Sequence, residues 1–251
     1  MSVAAFEACA TAVFILTGFA VGLRLLLLAR RTREIPELAL GGGLFLIVGI
    51  GYPIYLVAAT APGLSLEGAR RLAILSTVCL NPGMLAVFVF TWRVFRPEAR
   101  WAALLAACVG VALALLTVVR VQELASLQDR TTLLQPTDVL LIIYTLAGMS
   151  YLWSSVEAFL CHGRLRRQLA LGLIEPVVAN RVLLWATGSM FALLSDAPVL
   201  VAGLLRVPFE DLVTVRLMSS LAGLGCGAAL YLAFFPPRFY LRRLAGREAT
   251  A

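Results

Sequence analysis

The run NRVLLWATGSMFALLSDAPVLVAGLLRVPFEDLVTVRLMSSLAGLGCGAALYLAFFPPRFYLRR, residues 180–243, decides the fold. It holds two long apolar segments joined by the short linker Arg206-Val-Pro-Phe-Glu-Asp211. At about 1.5 Å rise per residue, each segment can cross the ~30 Å hydrocarbon core of a bilayer. Asp196 lies inside the first segment and Arg216 inside the second. Opposite charges in apolar runs are costly, so they face a bundle interior and pair. The stretch therefore predicts two membrane helices tied by Asp196 and Arg216.

Composition extends that reading to the whole chain. Mean hydropathy is +0.93, and only 14% of the 251 residues are charged. Soluble domains carry about 25% charged residues. Seven apolar runs follow in order, at about 3–29, 38–60, 72–95, 101–120, 138–161, 181–204 and 212–235. The expectation is an all-α, polytopic membrane protein: residues 1–251 form one seven-helix domain, and 236–251 an interfacial cytoplasmic tail. The start, Met1-Ser-Val-Ala-Ala-Phe-Glu7, lacks a basic n-region, which argues against a cleaved signal peptide.

Charge sets the expected orientation. The net charge is +7, and all 21 basic residues are arginine. Fifteen of them fall on one side of the alternating loops, including Arg24, Arg30, Arg31, Arg33, Arg93, Arg96, Arg164, Arg166, Arg167, Arg181 and Arg238–Arg243. Arg70, Arg71, Arg120, Arg130, Arg206 and Arg216 make up the other six. The positive-inside bias then puts the N-terminus outside and the C-terminus in the cytoplasm of a plasma (bacterial inner) membrane. Arginines that flank apolar runs exclude nucleic acid as a partner and leave the lipid bilayer.

Several helices carry breaks or small-residue faces. The first has Gly18-Phe-Ala-Val-Gly22, fit for close backbone approach. The second opens on Gly41-Gly42-Gly43 and reaches Tyr52-Pro53, where proline should kink it. Asn81-Pro82 in the third and Pro198 in the sixth predict further kinks. Gly223, Gly225 and Gly227 in the seventh suit packing, including a homo-oligomer through glycine faces. The stretch from Arg120 to Thr137, with Val121, Leu124 and Leu127, reads as a short amphipathic helix at the outer surface. Residues 162–180 read as the longest cytoplasmic loop. Helices 1–3 and 5–7 share an orientation, which allows a 3+1+3 repeat. Glu34-Ile-Pro36 against Glu175-Pro176, and Phe95-Arg96-Pro97 against Phe235-Pro236-Pro237, are the matching fragments.

Depth arithmetic gathers the polar residues. Asp196 lies roughly 22 Å above the inner face and Arg216 roughly 7–8 Å below the outer one, so their depths coincide. Glu7, Tyr52, Tyr55 and Asn81 fall in the same outer half. These six residues form the expected ligand site, with Asp196 and Arg216 at its base; a structural ion pair beside an aromatic belt is the plainer alternative. Ser154, Glu157, His162 and Asn180 form a second, inner polar cluster, equally open to a purely structural reading.

Catalysis finds no foothold. His162 is the single histidine, which excludes bis-histidine haem and HExxH zinc from this chain. Gly148-Met-Ser150 lacks the second glycine of a nucleophile elbow. Asp129, Asp138, Asp196 and Asp211 share no paired spacing, and the absence of lysine excludes a retinal Schiff base. Cys9, Cys79, Cys108, Cys161 and Cys226 form no CxxC and read as buried small hydrophobes. No cofactor, metal or enzymatic activity is expected.

The exit Tyr231-Leu-Ala-Phe-Phe-Pro-Pro-Arg-Phe-Tyr-Leu-Arg-Arg243 resembles that of seven-helix membrane sensor modules of bacterial signalling proteins. The resemblance covers about thirteen residues and implies coupling to a kinase or cyclase; this chain reaches Ala251 without such a domain, so a separate cytoplasmic signalling protein would be the partner. The expected function is a sensor or receptor-like module that binds a small or lipophilic ligand in the outer half. Two alternatives remain: a small-molecule transporter working by alternating access, and a non-catalytic accessory subunit. A polar path from the outer cluster to Glu157 would favour transport, and a closed inner half would favour sensing.

Overall fold

A computed structural model describes residues 2–129, 133, 137–206 and 213–246, with side chains to 242. The linker residues Val207–Asp211, Arg130 and Arg247 lie outside the described residues, as does the side chain of Arg243. The chain is all-α, 89% helical, with no strand among the described residues. Seven helices are long and apolar enough to cross a membrane, so this is a multi-pass membrane protein.

They are α1 (Val3–Thr32), α2 (Ile35–Thr60), α3 (Leu66–Phe95), α4 (Arg100–Ser126), α5 (Asp138–Ala170), α6 (Pro176–Leu204) and α7 (Val213–Phe234). A short helix α8 (Arg238–Gly246) follows the double proline. Local chemistry marks the starts. The hydroxyls of Ser2, Ser65 and Thr137 accept from the backbone N–H three residues on, satisfying orphan donors of α1, α3 and α5. Glu34 and Glu175 precede α2 and α6, each followed by a proline in the first turn. Arg33 takes a left-handed conformation (φ 60°), which ends α1 and permits the abrupt turn into α2.

Several expected boundaries are corrected. Residues 164–170 belong to α5, and α6 begins at Pro176, so the expected long cytoplasmic loop shrinks to 171–175. Arginine, leucine and glutamine are good helix formers, so α5 outlasts its apolar run. The first part of the outer amphipathic stretch is likewise an extension of a span: α4 continues to Ser126, and Leu124 is buried among Ala58, Ala69 and Ala73.

The expected kink at Pro53 takes a different form. Residues Phe45–Gly51 of α2 are π-helical, and the Tyr52 N–H bonds the Ile47 carbonyl five residues back. A proline ring clashes with the carbonyl four residues before it, and a widened turn relieves that crowding. Ser76 of α3 donates to the Gly51 carbonyl at 2.8 Å, a partner for backbone at the irregular turn. α3 and α6, by contrast, stay α-helical through Pro82 and Pro198.

Contacts order the helices as a closed ring, α1–α2–α3–α5–α6–α7 and back to α1, with α4 outside against α3 and α5. Glycines set the spacing of the first three. A Cβ on Gly22 would lie 2.8 Å from the Phe45 backbone nitrogen, and one on Gly41 would lie 2.9 Å from that of Leu26. On the opposite side of α2, a Cβ on Gly43 would lie 3.1 Å from the Gly83 carbonyl oxygen of α3. The glycine run thus serves two neighbours at once. Gly18 and Gly225 are likewise filled against, by Val48 and Phe191 of this chain, whereas a Cβ on Gly223 would meet nothing within 4 Å.

Candidate ligand cavity

A cavity of about 400 Å³ occupies the centre of the ring at one end. That end holds the start of α1, α3, α5 and α7 and the finish of α2, α4 and α6. Glu7, Tyr52, Tyr55, Asn81, Asp196 and Arg216 all line it. Six residues spread over five helices and more than 200 positions of sequence therefore share one space.

Their pairing differs from expectation. Arg216 donates to Glu7 across the α1–α7 contact. No ion pair joins it to Asp196, and Asp196 Oδ2 is buried with no hydrogen-bond partner among the described residues. Matching depth put Asp196 and Arg216 at one level. Depth says nothing of azimuth, and ring closure brings the N-terminal turns of α1 beside α7, where Glu7 takes the guanidinium. Asp196 instead packs toward α5, where a Cβ on Gly148 would meet Oδ2 at 3.3 Å.

Asn81 is 2% exposed, and its amide donates to Thr117 of α4 at 2.7 Å, which ties the outlying helix to the wall. Its carbonyl oxygen has no partner among the described residues. Ser195 donates to the Ser219 carbonyl at 3.1 Å, joining α6 to α7 at the same level.

Arg120, Tyr144 and Tyr151 are among the lining residues not foreseen as part of the site. Arg120, assigned to a loop, is 4% exposed and donates to Glu123 at 2.9 Å and Thr137 at 3.1 Å. Its spacing of three from Glu123 was the available signal, since such pairs meet on a continuing helix. Tyr144 and Tyr151 flank Gly148 on one face of α5, four residues before and three after. That tyrosine–glycine–tyrosine stripe is visible in sequence, but its direction depends on the ring.

The inner cluster does not assemble as one site, and none of its four residues lines the cavity. Glu157 accepts from Arg96 Nε at 2.8 and 3.0 Å, joining α5 to the end of α3. That carboxylate raises the pKa of Arg96, first through the hydrogen bond and then through its charge. Ser154 accepts from Trp185 Nε1 at 2.9 Å. His162 Nδ1 faces the Ala179 carbonyl at 3.0 Å, and Asn180 accepts from Tyr240 of α8 at 3.0 Å. Each residue fastens a different junction.

Two arginines counted as topology signals also cap α7. Pro236 and Pro237 carry no N–H, which leaves the last carbonyls of the helix short of donors. Arg24 donates to the Phe234 carbonyl at 2.6 Å and Arg181 to that of Ala233 at 3.2 Å. The Arg24 guanidinium also lies 4.7 Å from the Phe235 ring centroid.

Compared with protein-family models, curated proteins and solved structures, the chain matches none. Among the described residues, no group of three His, Cys, Asp or Glu side chains is placed to hold a metal ion.

Proposed function

We propose that the chain is a sensor or receptor-like module that binds a small ligand in this cavity. Its N-terminus would face outward and its arginine-rich helix ends would meet a cytoplasmic signalling protein. One observation carries the reading: the cavity ends in a packed floor. Its deepest lining includes Met84, Tyr151, Ala192 and Cys226. Beyond them Val21, Val48, Phe90, Phe95, Trp185 and Leu230 form a continuous apolar cluster. Phe90 meets Trp185 edge-to-face at 5.1 Å and Phe95 at 6.2 Å. A pocket of this size, with apolar walls and a few convergent polar groups, is the usual form of a small-molecule site. A plug of interlocked aromatics favours signalling over passage.

A route for the signal is available. α6 and α7 line the cavity at one end, and at the other they hold Arg181, Ala233, Asn180 and Tyr240 in mutual bonds. A ligand that shifts α6 against α7 would strain this junction and move α8. The contact order, with α4 outside a ring of the other six, also fits the 3+1+3 duplication as a proposal.

The test uses purified protein in lipid nanodiscs and in sealed vesicles. A fragment library screened by thermal shift supplies a cavity ligand. Saturation should change amide exchange in residues 162–170 and 238–246 without moving labelled ligand across the vesicle membrane. Ligand counterflow, or exchange changes confined to the cavity end, would refute the reading.

A further inference from the structure

The cavity carries one carboxyl group without a partner among the described residues. Its described lining holds two carboxylates, Glu7 and Asp196, and two guanidiniums, Arg120 and Arg216. Arg216 is engaged by Glu7, and Arg120 by Glu123 outside the lining. Asp196 has no cationic partner among the described residues, and its Oδ2 accepts no hydrogen bond from them. A carboxylate in an apolar setting is strongly disfavoured: it takes up a proton, or something cationic or hydrogen-donating reaches it.

Its neighbours suit a cation. Asp196 rests over Gly148, and Tyr144 and Tyr151 lie about one helical turn to either side on the same face of α5. Tyr52 and Tyr55 line the cavity from α2. Aromatic faces attract ammonium groups, most strongly where water is excluded. The remaining wall, including Ile47, Leu80, Met84 and Val199, offers contact for hydrocarbon. An acid with no cation paired to it disfavours an anion at its side, and a single carboxylate gives too few donors for a metal.

We propose that the cavity selects small organic cations: an amine whose ammonium group meets Asp196 while its apolar body fills the space between the tyrosines. This rests on the receptor reading above and specifies its ligand class. Size agrees, since a dry cavity of ~150 Å³ encloses a benzene ring and this one measures about 400 Å³.

Three probes share one skeleton and differ in head group: 2-phenylethylamine, 2-phenylethanol and phenylacetate. Each is titrated onto the full chain in nanodiscs by calorimetry. The amine should bind at least ~10-fold more tightly than the alcohol, as expected for a charge-assisted contact, and the acid should not bind. Asp196→Asn should bring the amine down to the affinity of the alcohol, whose retained binding reports an intact fold. Asp196→Glu should preserve the amine preference. If the alcohol or acid binds as well as the amine, or if Asp196→Asn keeps the preference, the amine assignment is overturned and the cavity stands as a site for another class. If none of the three binds wild type, the amine assignment is overturned, and the fragment screen above decides the receptor reading separately.

Discussion

Adding one methyl group at Gly22 should damage the bundle, whereas the same addition at Gly42 should not. A Cβ at position 22 would lie 2.8 Å from the Phe45 nitrogen and 3.0 Å from its Cα, both backbone atoms that cannot rotate away. To restore ordinary contact, α1 and α2 must part by roughly half an ångström along a crossing that Gly41 also keeps tight, and overpacking of this kind costs about 1–3 kcal/mol. At Gly42 the new Cβ would have no neighbour within 4 Å. Gly42→Ala should then gain about 0.4–1 kcal/mol from the reduced backbone freedom of the unfolded chain. Unfolding in mixed micelles by rising dodecyl sulfate, followed by tryptophan fluorescence, would rank the two against wild type. Equal midpoints for Gly22→Ala and Gly42→Ala, or a reversed order, would refute the claim that backbone proximity at this crossing limits stability.

Other consequences can be measured alongside. A double-mutant cycle on Glu7→Gln and Arg216→Gln should give a coupling of about 0.5–3 kcal/mol, while the Asp196→Asn and Arg216→Gln cycle should be additive within about 0.5 kcal/mol. Coupling confined to the second cycle would restore the pairing that depth alone suggested. Ser154→Ala strands the buried Trp185 indole N–H and should destabilise by about 1–3 kcal/mol, with Trp185→Phe recovering part of the loss in the double variant. Glu157→Gln should lower the melting temperature, and adding Arg96→Gln should lower it little further, because the two side chains act as one pair. A full additional drop would mean that Arg96 has a separate role.

Helix number was legible because hydrophobic length is a local property: every span holds a long, mostly apolar run with charge gathered at its ends. Helix ends were less so, since Arg164–Ala170 and Val121–Ser126 continue as helix beyond the apolar signal. The six site residues could be gathered by depth, because rise per residue fixes height from sequence. Partners could not, because azimuth depends on which helices touch. Glu7 capturing Arg216 requires the first helix to lie beside the seventh, a fact that no periodicity encodes. The same holds for Arg24 and Arg181, which sequence shows only as positive charge at a membrane edge.

The π-helical stretch Phe45–Gly51 has an evolutionary implication. A wide turn of this kind is what a helix becomes when it gains one amino acid without losing its ends. Deleting a single residue such as Ile50 would let the segment relax to regular α geometry while the turns on either side keep the faces they present. Tyr52 and Tyr55 would keep their place on the cavity wall, and the repacking would fall on residues 45–51, which lie against α1 and α3. A one-codon indel in this stretch is therefore a change of length that the second helix can absorb locally, with the tyrosines beyond it left in place.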